Sequence, residues 1–231
     1  MKIGILTAMN SEYELLASLL DEKRETADRM FAYLQGTLGG HTVVLTQCGI
    51  GKVNAAVGTA ELVRSFRPDC VISTGVAGGI DTSLQVMDVV VGCLTVYHDV
   101  WCGPGNAYGQ VQGFPERFAG NGILCGVALS VGGNTPVHGG LICSGDRFIT
   151  RRDELDDIKS RFPEGLAVDM ESAAIAQVCH RYGVPFVSFR IISDTPGVED
   201  HQQQYENFWG EMAARSFEVT RRFLEALPLR L

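Results

Sequence analysis

The stretch VPFVSFRIISD, residues 184–194, decides the fold, because it has the form of a buried strand that ends on a carboxylate, Asp194. The run KIGILTAMN, residues 2–10, has the same form, and Glu12 follows it almost at once. A third acid, Glu171, lies inside the segment AVDMES. Ligands of open α/β sheets bind beyond the carboxyl ends of the strands, so these three carboxylates can converge although they lie far apart in sequence.

A cleft that contains several acids suits the cleavage of a glycosidic bond. Such a reaction needs one group to activate water, another to protonate the leaving group, and negative charge near a developing oxocarbenium ion. Simpler interpretations of each acid stay open at this point. Glu12 can merely complement the positive end of a helix dipole, and Asp194, which precedes Thr195-Pro196-Gly197, can merely begin a turn.

The composition indicates one domain that acts on a small molecule. A chain of 231 residues that is 45% hydrophobic and 20% charged can bury a large core within a single domain spanning 1–231. The net charge of -8 argues against non-specific binding of nucleic acid, which needs a basic face. We therefore expect a small-molecule substrate and no nucleic-acid partner.

The cysteines and the N-terminus favour a soluble cytoplasmic protein. The seven cysteines include no C-x-x-C pair and lie mostly in apolar runs, as expected in a reducing compartment. The apolar run after Lys2 is too short for a signal peptide, and no run of about 18 apolar residues predicts a membrane span. The five histidines lack the spacing of a zinc site, so no metal or cofactor is implied.

Strand-like and helix-like runs alternate along the chain. This alternation predicts an α/β fold, a three-layer α/β/α sandwich with a central mixed, mostly parallel sheet. We predict strands at 2–8, 70–74, 86–97, 123–129, 140–144 and 184–192, with a hairpin formed by 30–34 and 42–46. We predict helices from a Ser11–Glu14 capping box through Leu20, at 52–66, at 150–161, over most of 166–182, and at 205–226.

The last predicted helix has an apolar face at helical spacing, which indicates either core or a subunit interface. That face consists of Phe208, Met212, Val219 and Phe223. If 166–182 is helical, Asp169 and Glu171 point about 200° apart, so only one of them faces a given pocket.

The glycine-rich segments do not match a nucleotide-binding motif. Gly49-Ile50-Gly51-Lys52 is followed by Asn54 where the dinucleotide fingerprint needs glycine, and no Walker spacing precedes Lys52. The segment Thr74 to Gly79 allows close approach of the backbone to a ligand, although a tight turn explains it equally well.

The motifs, taken in order, resemble those of the 5'-methylthioadenosine/S-adenosylhomocysteine nucleosidases of the nucleoside phosphorylase superfamily. They are Ala8-Met9 with Glu12, Cys48-Gly49-Ile50-Gly51-Lys52, Ser73-Thr74-Gly75, Tyr97-His98-Asp99, Ser144-Gly145-Asp146, Val168-Asp169-Met170-Glu171 and Arg190 to Asp194. The resemblance covers nearly the whole chain. It implies a nucleoside phosphorylase-like sandwich, usually a homodimer, that hydrolyses the N-glycosidic bond of these two nucleosides.

The resemblance also implies a role for each matching residue. Glu12 would activate the attacking water, Asp194 would hydrogen-bond adenine and help to protonate N7, and Glu171 would bind the ribose hydroxyls. Arg190 would orient Glu12 or the water. Phe148 would stack on adenine while the backbone of Ile149 reads its edge, and the sugar and 5' pocket would be lined by Met9, Ile50 and Met170. For this chemistry Asp194 must hold a proton near neutral pH, whereas Glu12 must be ionised.

Two departures from the family pattern bear on the substrate. Val76 stands where many relatives have serine, so a hydroxyl contact at this substrate-binding position is absent or replaced. The segment 101–114, which in relatives helps to complete the neighbouring pocket of the dimer, departs most from the pattern. It contains Trp101, Tyr108 and Phe114 and no lysine or arginine, which favours a thioether over the benzoate of futalosine. These aromatics can equally serve only as a dimer interface.

Other activities are less compatible with the sequence. A phosphorylase needs cations or backbone amides for phosphate, yet Arg190 is the only obvious arginine within the recognised segments, and Glu12 would repel the anion. A non-catalytic nucleoside sensor would be free to lose Glu12. A futalosine-type hydrolase and another purine nucleosidase are further alternatives.

Overall fold

One mixed sheet carries helices on both of its faces. The computed structural model describes residues 1–196 and 200–231, with side chains at all of these positions except 201, 211, 212 and 214–216. Within this part of the chain the strands are β1 Lys2–Thr7, β2 Asp21–Ala27, β3 Ala32–Leu38, β4 His41–Gln47, β5 Cys70–Gly79, β6 Val89–Tyr97, β7 Phe118–Ala119, β8 Val137–Ser144, β9 Gly165–Asp169 and β10 Phe186–Asp194. The helices are α1 Asn10–Ser18, α2 Lys52–Phe66, α3 Gly122–Ser130, α4 Arg152–Arg161, α5 Ser172–Tyr182, α6 His201–Asn207 and α7 Ala213–Ala226, and a π-helical turn at Phe208–Met212 joins the last two.

Five of the strands close into a ring. Strand β5 pairs in parallel with β10, β10 pairs with β6, and β6, β8 and β9 are parallel neighbours. Strand β9 then returns to β5 in antiparallel pairing, while β1, β4, β3 and β2 extend the sheet on the other side of β5. The closure places Gly78 of β5 opposite both Val168 of β9 and Asp194 of β10.

The two faces of the sheet are covered by different helices. Ile3 and Ile5 of β1 face one core with α1, α3 and α7, whereas Leu6 faces the other core with α2 and α5. Side chains of a strand point alternately to its two faces, so a strand that is buried on both faces contributes apolar residues to both cores. The α/β/α sandwich with a mixed sheet, as predicted, is therefore confirmed.

The predicted capping box at the start of α1 is wrong. The helix begins at Asn10 with Met9 as its N-cap, and the third residue of the helix, Glu12, accepts the Met9 N–H at 3.0 Å. Glu14 instead accepts a hydrogen bond from the Asn10 side chain on the exposed face. The start of α1 is thus set by the same carboxylate that the sequence marks as a catalytic candidate.

Two segments differ from the predicted elements. Residues 123–129 form the helix α3, because the side chain of Asn121 accepts the N–H groups of Ile123 and Leu124 at 3.0 and 3.2 Å. An uninterrupted apolar run does not by itself distinguish a buried strand from a buried helix. The segment 166–182 divides into β9 and α5, so Asp169 ends a strand and does not share a helix with Glu171.

The other elements follow the predictions more closely. Helix α2 has the predicted bounds, and the predicted hairpin is formed by β3 and β4. Strand β2, whose sequence DEKRETA is charged and mostly exposed, was not predicted. Charged residues of this kind are typical of an edge strand that avoids further pairing.

The predicted apolar face of the last helix points into the core. Phe208, Val219 and Phe223 are each at most 2% exposed, and Phe223 stacks on Phe189 of β10 with ring centroids 4.9 Å apart. The side chain of Met212 lies outside the described residues. Of the two interpretations of this face, core is the one that the described residues support.

Candidate active site

A cavity of about 300 Å³ opens where β5, β9 and β10 end. Of the ten positions that the sequence marks as candidate site residues, nine line this cavity. They are Met9, Glu12, Ile50, Val76, Phe148, Ile149, Met170, Glu171 and Asp194. Arg190, the tenth, is 1% exposed and lies among the acids, where it ion-pairs with Asp169 and Glu171.

Glu12 is held in the cavity wall by backbone groups. Its Oε2 accepts the N–H groups of Ala8 and Met9 at 2.9 and 3.0 Å, and its Oε1 accepts the Val76 N–H at 3.0 Å. Burial raises the pKa of Glu12, and the Arg190 guanidinium and the three N–H groups lower it only part of the way back. A carboxylate with a raised pKa and a fixed orientation is well suited to accept a proton.

Glu171 lies at the start of α5 beside the turn that begins α2. Its Oε1 accepts the Gly51 N–H at 2.9 Å, and its Oε2 lies 3.8 Å from Nη2 of Arg190. Burial raises the pKa of Glu171 to about 7, Arg190 opposes this rise, and Asp169 adds to it. The carboxyl therefore changes its protonation state near neutral pH and can both accept and donate hydrogen bonds.

Asp169 lines the cavity but is committed to a buried polar network. Its Oδ2 lies 2.9 Å from Nε of Arg190 and also accepts the Ser172 hydroxyl, while its Oδ1 accepts the Ser144 hydroxyl at 2.5 Å. Arg190 donates in turn to the Ser73 hydroxyl at 2.8 Å. The network fixes the guanidinium of Arg190 next to Glu12 and Glu171. Because Asp169 is engaged by this network, Glu171 is the one of the two acids, Asp169 and Glu171, that is available to a ligand.

Asp194 closes β10 and lines the same cavity. It is 2% exposed, and its Oδ1 accepts the Ser193 hydroxyl at 2.7 Å. Ile149 is 4% exposed and Phe148 is 54% exposed, so the cavity lining combines a buried carboxyl, a buried isoleucine and an accessible aromatic ring.

Nine further residues line the cavity, and Tyr205 and Arg147 are among those that lie outside the sequence motifs. Tyr205 of α6 reaches back over the site, where its hydroxyl lies 3.6 Å from Sδ of Met9 and its ring lies 5.8 Å from that of Phe148. Nothing local in the sequence indicates that this helix returns to the cavity. Arg147 could have been found, because it directly precedes Phe148.

Three of the sequence motifs meet at the start of α2. Lys52 donates its N–H to Oδ1 of Asp146 at 2.7 Å, and its ammonium lies 2.8 Å from Oδ2 of Asp99. The same oxygen of Asp99 accepts the Asp146 N–H at 2.9 Å. These contacts tie the segment after β8 to the glycine turn that carries Ile50.

The aromatic residues of the segment 101–114 have different surroundings. Tyr108 packs on Phe162, and Phe114 packs on Phe118, so both anchor the segment to its own chain. Trp101 is 62% exposed. None of the three lines the cavity as the described residues define it.

The described part of the chain contains no group of three or more histidine, cysteine or acidic side chains arranged to hold a metal ion. No described helix is both long enough and apolar enough to cross a membrane. The chemical groups that line the cavity are carboxyls, backbone amides, the hydroxyls of Tyr205 and Ser193, apolar side chains and the guanidinium of Arg147.

Comparisons with known proteins agree with this geometry. The family profile described as "Phosphorylase superfamily" matches residues 2–225. The chain is 43% identical over 230 residues to the 5'-methylthioadenosine/S-adenosylhomocysteine nucleosidase of Actinobacillus succinogenes. The matched residues make up 98% of this chain and 100% of that protein.

Solved structures give the same result. The chain is similar to the 5'-methylthioadenosine/S-adenosylhomocysteine nucleosidase from Neisseria meningitidis in complex with methylthio-immucillin-A, with a TM-score of 0.92, 40% identity and coverage of 98% and 99% of the two chains. It is also similar to the nucleosidase from Colwellia psychrerythraea in complex with adenine, with a TM-score of 0.94, 36% identity and coverage of 100% and 97%.

Proposed function

This chain belongs to the 5'-methylthioadenosine/S-adenosylhomocysteine nucleosidase family of the phosphorylase superfamily, and we propose that it hydrolyses the N-glycosidic bond of both nucleosides. The products are adenine and the corresponding 5-thioribose. The observation that carries the proposal is the buried Glu12, whose two carboxylate oxygens are fixed by three backbone N–H groups at the wall of a nucleoside-sized cavity.

Glu12 acts as the general base in this proposal. Its hydrogen bonds come from N–H donors, which favour the ionised form, and its raised pKa increases its basicity toward a water molecule. The guanidinium of Arg190 keeps positive charge beside the acids and thereby supports the ionised state of Glu12.

Asp194 and Glu171 act on the two ends of the nucleoside. Asp194 hydrogen-bonds adenine and delivers a proton toward N7, which makes the base a better leaving group. Glu171 binds the ribose hydroxyls, and its negative charge stabilises the oxocarbenium-like transition state. In this mechanism Asp194 is protonated and Glu12 is ionised, although both lie in one cavity. Such a difference arises when the surroundings of two carboxyls give them different pKa values.

The remaining cavity residues hold the substrate. Phe148 stacks on adenine and the backbone of Ile149 reads the edge of the base. The ribose and the 5' substituent contact the apolar side chains of Met9, Ile50, Val76 and Met170. No cofactor and no metal are needed for this mechanism.

Hydrolysis is favoured over phosphorolysis by the charges around the acids. Arg190 is already engaged by Asp169 and the serine hydroxyls, so it offers little to a phosphate ion. Arg147 stands at the cavity mouth and pairs with Glu154. A phosphate beside Glu12 would therefore meet negative charge, and the described residues around it offer no free cation to offset that charge.

We also propose that the protein is a cytoplasmic homodimer, in which the segment 101–114 completes the pocket of the neighbouring subunit. Two observations support the dimer. Val53 of α2 is 73% exposed and Tyr182 of α5 is 47% exposed, and both border a groove between these helices. Trp101 is exposed as well, and exposed apolar surface of this extent is typical of an interaction site. For an enzyme with this reaction we propose a role in nucleoside catabolism and methionine salvage.

The proposal is tested by chromatography of the reaction products. The protein is incubated with 5'-methylthioadenosine in phosphate-free buffer and again with phosphate, beside the variant Glu12→Gln and the control Glu14→Gln. Adenine and free methylthioribose, formed equally with and without phosphate, support the nucleosidase. Release only with phosphate would indicate a phosphorylase, and binding without release would indicate a sensor.

A further inference from the structure

The turn that begins α2 has no N-cap side chain. Its N-cap residue is Gly51, whose φ angle of 95° lies in the left-handed region that favours glycine. An N-cap side chain normally accepts one of the N–H groups that the first turn of a helix leaves unpaired, and glycine cannot do so. An acceptor for these N–H groups of α2 therefore has to come from elsewhere in the chain.

Two acids from distant segments accept successive N–H groups of this turn. Oε1 of Glu171 accepts the Gly51 N–H at 2.9 Å, and Oδ1 of Asp146 accepts the Lys52 N–H at 2.7 Å. Both carboxyls lie at the positive end of the α2 dipole, which favours negative charge. Because the two N–H groups belong to adjacent residues, a displacement of one also displaces the other.

Asp146 is itself held in place by Asp99 and Lys52. Its N–H donates to Oδ2 of Asp99 at 2.9 Å, and the same oxygen accepts the Lys52 ammonium at 2.8 Å. Burial raises the pKa of Asp99, but the Lys52 ammonium and the Asp146 N–H together lower it below its ordinary value. The three residues thus form a closed cluster, to which Lys52 contributes both its backbone and its side chain.

The carboxylate of Asp146 packs directly against the turn. A Cβ atom at Gly51 would stand 3.0 Å from Oδ1 of Asp146, which is closer than such atoms usually approach. The side chain of Asp146 is 48% exposed, and Asp146 is not among the described residues that line the cavity. Any effect of Asp146 on a substrate therefore has to pass through the residues that it contacts.

The contact that leads from this cluster to the cavity is the one between Gly51 and Glu171. Glu171 is 5% exposed and lines the cavity. Its Oε2 lies 3.8 Å from Nη2 of Arg190, which is too far for a hydrogen bond, whereas its Oε1 is 2.9 Å from the Gly51 nitrogen. The orientation of the Glu171 carboxyl therefore depends on where the turn places Gly51.

We propose that Asp146 is a positioning residue, which fixes the turn before α2 so that the Gly51 N–H orients Glu171 toward the ribose hydroxyls. This inference rests on the proposed function. Without the carboxylate of Asp146 the Lys52 N–H loses its acceptor, the turn shifts, and Glu171 loses its fixed orientation. The loss is then confined to the part of the nucleoside that Glu171 binds.

The test measures how strongly catalysis depends on the ribose hydroxyls. Adenine release is followed with methylthioadenosine and with its 2'-deoxy and 3'-deoxy analogues. The ratio of kcat/KM for methylthioadenosine to kcat/KM for an analogue is the hydroxyl selectivity. The two variants are Asp146→Ala, which removes the acceptor, and Asp146→Asn, whose amide oxygen can still accept the Lys52 N–H.

The matched control is Asp153→Ala, which removes an acid from the first turn of another helix, α4. The side chain of Asp153 is 70% exposed, and it does not line the described cavity. Asp153→Ala should therefore have the hydroxyl selectivity of the wild-type protein.

We expect Asp146→Ala to lower the hydroxyl selectivity by about tenfold for the analogue that the wild-type protein cleaves least well, because a hydrogen bond from a hydroxyl to a charged group is lost. For that analogue itself, kcat/KM should change less than about twofold, since it lacks the hydroxyl in question. Asp146→Asn should keep most of the selectivity.

The inference is overturned if Asp146→Ala lowers kcat/KM for methylthioadenosine and for the deoxy analogues by the same factor, since a general loss of structure or of base binding has that effect. It is also overturned if Asp146→Asn loses as much selectivity as Asp146→Ala, or if Asp146→Ala keeps the wild-type selectivity.

A failure of the proposed function is distinguishable from these results. In that case the wild-type protein itself releases no adenine from methylthioadenosine, before any variant is compared. A wild-type protein that releases adenine without any hydroxyl selectivity would remove the ribose-binding role of Glu171, and the inference with it.

Discussion

Arg190 Nε lies 2.9 Å from Asp169 Oδ2, and both side chains are only 2% exposed. Removing the cation leaves a buried carboxylate without its partner, which typically costs about 3–5 kcal/mol of the free energy of unfolding. We therefore expect Arg190→Met to lose about that much stability in urea denaturation. Because the loss comes from the unpaired acid, the double variant Arg190→Met/Asp169→Asn should recover part of it.

The control for this prediction is an exposed ion pair. Arg221 lies 2.9 Å from Glu225 and its side chain is 47% exposed, so Arg221→Met should cost less than about 1 kcal/mol. If the effects of Arg190→Met and Asp169→Asn simply add in the double variant, the two residues do not depend on each other and the buried pair is not the source of the loss.

Among the described glycines, Gly75 is the one at which an added Cβ atom would come closest to a catalytic acid. A Cβ atom there would overlap Oε1 of Glu12 and would stand 2.8 Å from Nη1 of Arg190, and the φ angle of 153° is one that other residues rarely adopt. Gly75→Ala must therefore displace Glu12 or the guanidinium. We expect kcat to fall by at least about 100-fold, since small misplacements of a catalytic group have effects of this size.

A suitable control for this variant is Gly126→Ala in α3. A Cβ atom at Gly126 meets nothing within 4 Å, and alanine is better than glycine inside a helix by about 1 kcal/mol. The control should keep full activity and have an equal or higher melting temperature. Full activity of Gly75→Ala would contradict the tight arrangement of Glu12 at this turn.

The acids at the strand ends could be located from the sequence because each of them follows a long apolar run. β1 and β10 are buried on both faces, so their runs are mostly apolar. Asp194 ends β10, and Glu12 follows β1 in the first turn of α1. An uninterrupted apolar run also led to the wrong prediction of a strand at 123–129, where the N-cap Asn121 begins a helix. Composition of a run identifies burial more reliably than it identifies the element.

The supporting groups could not be predicted in the same way. The role of Asp169 is hidden in the sequence, because its contacts with Arg190, Ser144 and Ser172 join three elements that only the closed ring of strands brings together. Tyr205 depends likewise on how α6 returns over the site. Such contacts follow from tertiary packing, for which the local sequence holds no periodic signal.

Glu12→Gln should remove the general base while keeping most of the fold. The amide can keep one set of backbone hydrogen bonds, but its NH₂ group then faces a backbone N–H donor, so we expect a loss of about 1–3 kcal/mol in stability. Turnover should fall by about 10²- to 10⁴-fold or more. The measurement is adenine release at saturating substrate, with binding followed separately by calorimetry.

Asp194→Asn should lower turnover to a similar extent, because an amide cannot deliver a proton to N7. We expect a decrease of about 10²- to 10⁴-fold in kcat, measured as adenine release under the same conditions. Substrate binding should change much less, since the amide still hydrogen-bonds the base. Near-normal turnover of Asp194→Asn would remove the proposed acid from the mechanism.

Glu171 should make the stability of the ligand-free protein depend on pH. Burial raises its pKa from the ordinary value of 4.5 to about 7, against the opposing effect of Arg190. Between these two values the folded protein holds a proton that the unfolded chain has already released. The contribution of Glu171 is therefore fully present below 4.5 and is lost as the pH rises toward 7. A tenfold change in the dissociation constant of an acid corresponds to about 1.4 kcal/mol, so the loss is on the order of 3 kcal/mol.

The variant Glu171→Gln isolates this effect, because its amide oxygen can still accept the Gly51 N–H and its side chain does not titrate. Urea denaturation of both proteins from acid to slightly alkaline pH gives the difference in the free energy of unfolding at each pH. We expect the stability of the variant relative to the wild-type protein to increase as the pH rises. Glu14→Gln, on the exposed face of α1, should show no such trend. A constant difference between Glu171→Gln and the wild-type protein would mean that the carboxyl of Glu171 has the same pKa in the folded protein and in the unfolded chain, so that Arg190 balances the effect of burial.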